Sequence, residues 1–438
     1  MEWYWALALM LGLMFGLMGI GLPVAFTFLG VNLVGAWVFL GGEAGLAQLV
    51  RNSVGSVTSF SLTPIPLFVL MGEVLFHTGL AFRAIEAIER LIARLPGRLS
   101  VVSVLGGTTF AALSGSTIAN TAMMGGVMLP EMLKRGYHPT LAMGPIMAVG
   151  GIAMLVPPSA LAVMLGSLAG ISIAQLLIGG IVPGLVMAAC FLAYVMIRCR
   201  IDPQSAPIDD APREPDAWTR WKPFMRDVLP LFSIFAAVVG SMLAGWASPT
   251  ESAAIGVVAS VAATACYRAL TLRALQKSLV ETARVSVVIL FVLVASTTFA
   301  QILSFSGATS GALSLIRGLE LSPLMLVLGM LAILLVLGCV IDQISMMMIT
   351  LPFFMPLANA AGIDPVWLGV LMLVAMELGL LTPPFGLLLM VMQSVAPPPI
   401  QLRQIYAAAT PFVLIELAVL GLIVALPGLA VGLPRLMQ

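Results

Sequence analysis

Charge is what this sequence has least of. Only 9% of its 438 residues are Asp, Glu, Lys or Arg, and the net charge is +1. Nothing in that balance suggests a nucleic-acid partner. Histidine occurs twice, as His77 and His138, and cysteine four times, as Cys190, Cys199, Cys266 and Cys339, without metal-ligand spacing. There is no HExxH pair, no paired aspartate arrangement, no serine beside a plausible base and no GxxxxGK[ST] phosphate loop. Protease chemistry and ATP-driven pumping therefore lack their parts, and the chain is not expected to be an enzyme.

What fills the sequence instead is apolar: 61% of residues are hydrophobic and the mean hydropathy is +1.11. No soluble domain of this length has that composition. Stretches near 4–21, 24–41, 175–197, 228–245, 284–303 and 407–432 approach or reach the ~20 residues that span a bilayer as a helix. Backbone groups in lipid must be satisfied within the segment, so the expectation is an all-α polytopic membrane protein with about 11 spanning segments. The first stretch opens on Met1 and Glu2 rather than a basic segment, and is read as a retained helix.

Pro and Gly recur at one offset. Pro23 and Pro249 differ by 249 − 23 = 226, and Gly30/Gly256, Pro130/Pro356, Gly136/Gly362, Pro139/Pro365, Pro157/Pro383 and Pro158/Pro384 repeat it. Helix breakers duplicated in a membrane chain mark two halves with a binding site between them. Basic residues cluster at 83–98, 198–226 and 268–284, which the positive-inside rule places in the cytoplasm, with Lys134 and Arg135 as a smaller basic point. Shifted by 226, the first cluster lands where only Arg317 and Glu320 are charged. The third lands where only Glu43 and Arg51 are. Equivalent segments therefore fall on opposite sides, and the repeat is inverted.

This divides the chain into a first repeat at 1–197, a cytoplasmic linker at 198–226 and a second repeat at 227–438. Residues 81–95 set Phe82, Ile85, Ile88, Leu91, Ile92 and Leu95 on one face and charges on the other, an amphipathic arm lying along the membrane. After it, 98–134 enters and leaves on the basic side, a re-entrant hairpin whose polar tip is SGSTIANT at 114–121. Ser114, Ser116, Thr117, Asn120 and Thr121 present neutral oxygens at the density a dehydrated Na⁺ requires, or else hydrogen-bond neighbouring helices. The equivalent hairpin, 322–358, carries GCVIDQIS and puts Asp342 at the tip, as a functional carboxylate, a helix cap or both.

Each hairpin precedes an interrupted helix, 139–173 with VPPS and 364–396 with TPPFG. A Pro pair in an apolar run removes two donors and frees carbonyl oxygens. The half-helix that follows presents a partly positive N-terminus suited to an anionic substrate group. Glu73 and Glu251 are expected to brace helices, Glu377 to order the site, and His138 to sit in solvent.

PTESAA (249–254), SGSTIANTA (114–122), LPEMLKRGY (129–137), GGIAMLVPPS (150–159), GCVIDQIS (338–345) and ELGLLTPPFG (377–386) together resemble the large membrane (M) subunit of tripartite ATP-independent periplasmic (TRAP) transporters. The likeness covers essentially the whole chain; His138 replaces the acidic residue expected before Pro139.

The resemblance implies an inverted-repeat elevator fold, with a scaffold and a moving domain of two re-entrant hairpins and two broken helices. It implies Na⁺-coupled uptake of an organic acid such as a C4-dicarboxylate or sialic acid across a bacterial or archaeal cytoplasmic membrane. It also implies two partners: a periplasmic solute-binding protein (P type) and a separate small four-helix membrane subunit (Q type). By the same resemblance one Na⁺ site takes Ser114, Gly115, Ser116, Asn120, Gly150, Pro157 and Ser159, and the other Gly338, Asp342, Thr382, Pro383 and Gly386. Substrate falls to Ser116, Thr117, Ser159, Thr382 and Pro384. A stand-alone divalent-anion/sodium symporter without a binding protein is the rival reading.

Overall fold

The computed structural model describes residues 2–92, 95, 97–114, 117–206 and 217–437. Among these residues the chain is helical and has no strand. The first half runs α1 (Trp3–Gly19), α2 (Val24–Phe39), α3 (Glu43–Val57), α4 (Pro64–His77), α5 (Leu80–Leu91), α6 (Arg98–Ser114) and α7 (Thr117–Lys134). It continues with α8 (Pro139–Leu155), α9 (Ala160–Ala169), α10 (Ile173–Gly179) and α11 (Ile181–Ile201). The second half comprises α12 (Ala217–Pro223), α13 (Leu229–Leu243), α14 (Pro249–Cys266), α15 (Leu272–Phe305), α16 (Ala308–Arg317) and α17 (Pro323–Gly338). Then come α18 (Gln343–Ala360), α19 (Pro365–Leu381), α20 (Leu387–Val395), α21 (Leu402–Ala425) and α22 (Gly428–Arg435).

The offset seen in the sequence reappears in the element bounds. Both ends of α7 and α18 differ by 226, and so do both ends of α8 and α19. The turns before α8 and α19 hold Gly136 at φ 80° and Gly362 at φ 66°, left-handed positions where glycine has no Cβ penalty. His138 and Asp364 then cap the two helices: His138 Nδ1 accepts from Thr140 N at 3.4 Å, and Asp364 Oδ1 from Val366 N and Trp367 N at 2.9 and 3.1 Å. The histidine that departs from the resembled pattern thus does the acidic residue's capping work, on an exposed turn.

The core is built on α8 and α19. Every residue from Leu141 to Leu155 and from Leu368 to Leu381 is buried, the pattern of helices apolar all round. These two pack on each other and are enclosed by α6, α7, α17, α18 and α21. The halves interlock: α7 of the first hairpin packs on α20, and α18 of the second packs on α9.

The repeat is not perfect, and prolines explain where it fails. In the first half Pro64 and Pro66 follow a 3₁₀ turn that separates α3 from α4. In the second half Leu290 and Val292 occupy those positions, and α15 runs unbroken for 34 residues.

Seven helices among the described residues are long and apolar enough to cross a membrane alone. The count is up to eight if α8 and α9, bent by 44° at their break, form one span, with shorter apolar helices besides. The arm helix ends at Leu91, short of the expected 95, ahead of Pro96, which disfavours helix in the residue before it. Its buried stripe is Leu80, Ala81, Ala84, Ala87 and Ile88, while Leu95 is exposed. The expected linker 198–226 is partly helical: α11 continues to Ile201, a 3₁₀ turn covers Pro203–Ser205, and α12 begins at Ala217.

Candidate functional site

The two Pro pairs interrupt their helices at the same relative point, and both Pro–Pro bonds are cis. Pro157 and Pro158 have no N–H for the carbonyls of Ala153 and Met154, and Pro383 and Pro384 have none for Gly379 and Leu380. Beyond the first break Ser159 caps α9, its Oγ accepting from Ala162 N at 3.2 Å. Beyond the second, Gly386 occupies the cap position of α20. A Cβ on Gly386 would stand 2.4 Å from the Leu380 carbonyl oxygen and 2.8 Å from that of Thr382, so two carbonyls converge on a position only glycine fits.

The surroundings of the two breaks differ. Residues 151–160 are all buried, with Gly180 pressed against the Leu155 carbonyl. Pro383, Pro384 and Phe385 are exposed, and Tyr406 donates its hydroxyl to the Pro384 carbonyl at 2.6 Å.

At the centre, one carboxylate draws the four repeated elements together. Glu377 on α19 is 1% exposed, and its Oε1 accepts from Thr117 Oγ1 of α7 at 2.5 Å and from Gln343 Nε2 of α18 at 3.0 Å. Thr117 Oγ1 also lies 3.1 Å from the Gly150 carbonyl oxygen on α8. A hydroxyl carries one proton, and the shorter contact goes to Glu377, which leaves the Gly150 carbonyl one lone pair beyond its helical bond. Thr117 and Gln343 are themselves repeat equivalents, separated by 226. Each half therefore sends the first residue of its second hairpin helix to the same carboxylate.

Next to this junction lie polar atoms with nothing to bond. Asn120 and Thr121 are fully buried, and Asn120 Oδ1, Asn120 Nδ2 and Thr121 Oγ1 have no hydrogen-bond partner. A Cβ on Gly150 would meet Thr117 Cγ2 at 2.9 Å and Thr121 Oγ1 at 3.1 Å, so these hairpin residues rest on the glycine. Unpartnered buried oxygens are costly, and a desolvated hard cation would relieve that cost. Asn120 Oδ1, Thr121 Oγ1 and the Gly150 carbonyl are neutral oxygens of the kind that Na⁺ takes as ligands.

The remaining expected ligands have other partners or lie outside the described residues. Gly115 and Ser116, and the side chain of Ser114, lie outside the described residues. Asp342 is half-buried and caps α18: its Oδ2 accepts from Ile344 N and Ser345 N at 3.0 and 3.3 Å, and its Oδ1 from Ser345 Oγ. Thr382 donates its hydroxyl back to Leu378 O at 2.6 Å. Gly338 has a packing partner instead: its Cβ would fall 2.5 Å from the Gly379 Cα, so α17 and α19 touch backbone to backbone there. Glu251 forms a capping box with Ser248, and Glu73 Oε2 lies 3.1 Å from His77 Nε2.

Sequence reasoning missed Glu416, 1% exposed on α21, and gave no role to Gln343. The signal for Glu416 was an acidic residue inside the apolar run 407–432.

Comparison with known proteins agrees with this architecture. The family described as "Tripartite ATP-independent periplasmic transporter, DctM component" matches residues 11–429. The 2,3-diketo-L-gulonate TRAP transporter large permease protein YiaN of Escherichia coli is 31% identical, covering 97% of this chain and 98% of its own. The C4-dicarboxylate TRAP transporter large permease protein DctM of Pseudomonas aeruginosa is also 31% identical, over 86% of each. Among solved structures, the Alcanivorax borkumensis YdaH transporter superposes with a TM-score of 0.67 at 14% identity, over 95% of this chain and 99% of that one, a likeness of fold.

Proposed function

The chain belongs to the large membrane subunits of TRAP transporters, and from that premise we propose that it carries out Na⁺-coupled uptake of an organic acid delivered by an extracytoplasmic solute-binding protein. The observation that carries the reading is the Glu377 junction, where both hairpins and one broken helix share a buried carboxylate beside the Gly150 carbonyl of the other broken helix. Those four elements then move as one body. In an elevator cycle this body carries its cargo past a scaffold that includes α2, α4, α14 and α15.

Na⁺ binds at Asn120, Thr121 and the Gly150 carbonyl, and the resemblance adds Ser114, Gly115 and Ser116 to its ligands. A second Na⁺ is held near the Gly386 cradle, with Asp342 and Thr382 at its edge. The two named relatives carry a sugar acid and C4-dicarboxylates, and the substrate here is likewise a carboxylate. It docks between the hairpin tips and the exposed second break, on Thr382, Pro384 and the start of α20. A small four-helix membrane subunit buttresses the scaffold in the cytoplasmic membrane, and the binding protein docks on its outer face.

Proteoliposomes holding this chain with its small subunit test the proposal. Under an inward Na⁺ gradient, and with the binding protein outside, labelled organic acid is expected to accumulate. Equal uptake when the binding protein is left out would establish the stand-alone symporter instead, and uptake indifferent to Na⁺ would remove the coupling ion.

A further inference from the structure

The pseudo-symmetry has a gap that a third helix fills. Subtracting 226 from Glu377 gives 151, a glycine, so the first half offers no carboxylate where the second does. The space is occupied by the Glu416 side chain, brought in on α21: a Cβ on Gly151 would lie 3.3 Å from Glu416 Oε1 and 3.7 Å from Glu377 Cβ. Two glutamate side chains thus meet over one glycine of α8, both 1% exposed. Both Oε2 atoms are buried without a hydrogen-bond partner.

Two like charges cannot both persist in such a place without compensation. Among the described residues no buried cation supplies it. Of the helices packed on α21, α8 and α20 carry no titratable side chain and α19 carries Glu377 alone. α11 carries Cys190, Tyr194, Cys199 and the exposed Arg198 and Arg200, and α22 the exposed Arg435. The Tyr194 ring packs edge-on to Phe412, one turn before Glu416. On α21 itself the other titratable groups are Arg403 and Tyr406, near its start.

Glu377 is the member equipped to be an anion, since it accepts from both Thr117 and Gln343. We propose that Glu416 is a proton-holding site: a neutral carboxylic acid in the membrane core whose O–H is the donor that the free oxygen of Glu377 lacks. Glu416 is then a positioning residue. It keeps the Glu377 carboxylate turned so that its other oxygen receives both hairpins, and loss of its proton at alkaline pH sets two buried charges against each other and loosens the junction. The inference rests on the transporter reading only for its consequence in uptake.

The test therefore starts from a readout independent of transport. Infrared spectra of the chain with its small subunit in lipid nanodiscs, at neutral pH and after deuterium exchange, report the C=O stretch of protonated acids. That band is expected in wild type and in Glu377→Gln, and its intensity is expected to fall in Glu416→Gln. No such band in wild type, or an undiminished band in Glu416→Gln, overturns the proposal, whatever transport does. In uptake, Glu416→Leu removes the donor and is expected to lose roughly tenfold or more. Glu416→Gln, which keeps a donor, recovers most of that loss and no longer weakens as pH rises. A wild-type pH profile unchanged in Glu416→Gln counts against the positioning role.

Discussion

Removing one hydroxyl at the junction separates binding from folding. Thr117→Val keeps the side-chain shape and deletes the hydroxyl that reaches Glu377 Oε1, leaving Gln343, among the described residues, as the single donor to that oxygen. A hydrogen bond to an ionised group contributes about 1.5–3 kcal/mol, and each 1.4 kcal/mol is tenfold in an equilibrium constant. The loss therefore corresponds to roughly 10- to 150-fold in the equilibrium that seats the first hairpin on α8 and α19. If Na⁺ binds the seated hairpin, the variant's half-saturating Na⁺ concentration rises by a similar factor, limited by the fraction of hairpin still seated. The assay is the initial rate of uptake against Na⁺ concentration in proteoliposomes, with binding protein saturating. Thr117→Ser restores the donor and is expected to return the curve most of the way. An unchanged Na⁺ dependence in Thr117→Val, together with unchanged thermal stability, would refute the claim that this contact organises the site.

Three further substitutions divide capping and packing from ion binding. Asp342→Asn keeps a side chain as effective at a helix N-cap, so the melting temperature is expected to shift by less than that of a lost cap, about 1 kcal/mol, while Na⁺ activation weakens; unaltered activation would remove Asp342 from the second site. Gly338→Ala forces a methyl against the Gly379 backbone and is expected to cost about 1–3 kcal/mol, read as a lower melting temperature, because α17 and α19 must separate. Ser248→Ala dismantles the capping box at α14 and is expected to cost about 1 kcal/mol with transport per folded molecule unchanged, a comparison of thermal melting with uptake on the same preparation.

Much of the architecture was legible because helix breakers act locally. A proline pair ends a helix wherever it stands, so the pairs at 157 and 383 announced the ends of α8 and α19, and the Gly-containing turns announced their starts. Asn120 was legible as a polar residue at a hairpin tip. Other features depended on contacts between distant segments. Nothing local distinguishes Gly338, pressed on Gly379, from other glycines in apolar runs, and nothing foretold that the first break would be buried while the second stayed exposed. Glu416 sits in the apolar stretch 411–425 of α21, and its meaning appears only once Gly151 is recognised as the empty counterpart of Glu377. The continuity of α15 was readable in principle, from the absence of prolines matching Pro64 and Pro66.

The most direct test of the central claim is thermal unfolding of the purified complex with Na⁺ and with choline in its place, for wild type and for the double variant Asn120→Leu, Thr121→Val. A ligand that binds only the folded state raises stability by RT ln(1 + [L]/Kd), so Na⁺ is expected to raise the wild-type melting temperature. The variant replaces unpartnered buried polar atoms with apolar ones, so it is expected to be at least as stable as wild type in choline and to lose much of the Na⁺ response. A variant that Na⁺ stabilises as much as wild type would contradict the assignment of the ion to the first hairpin.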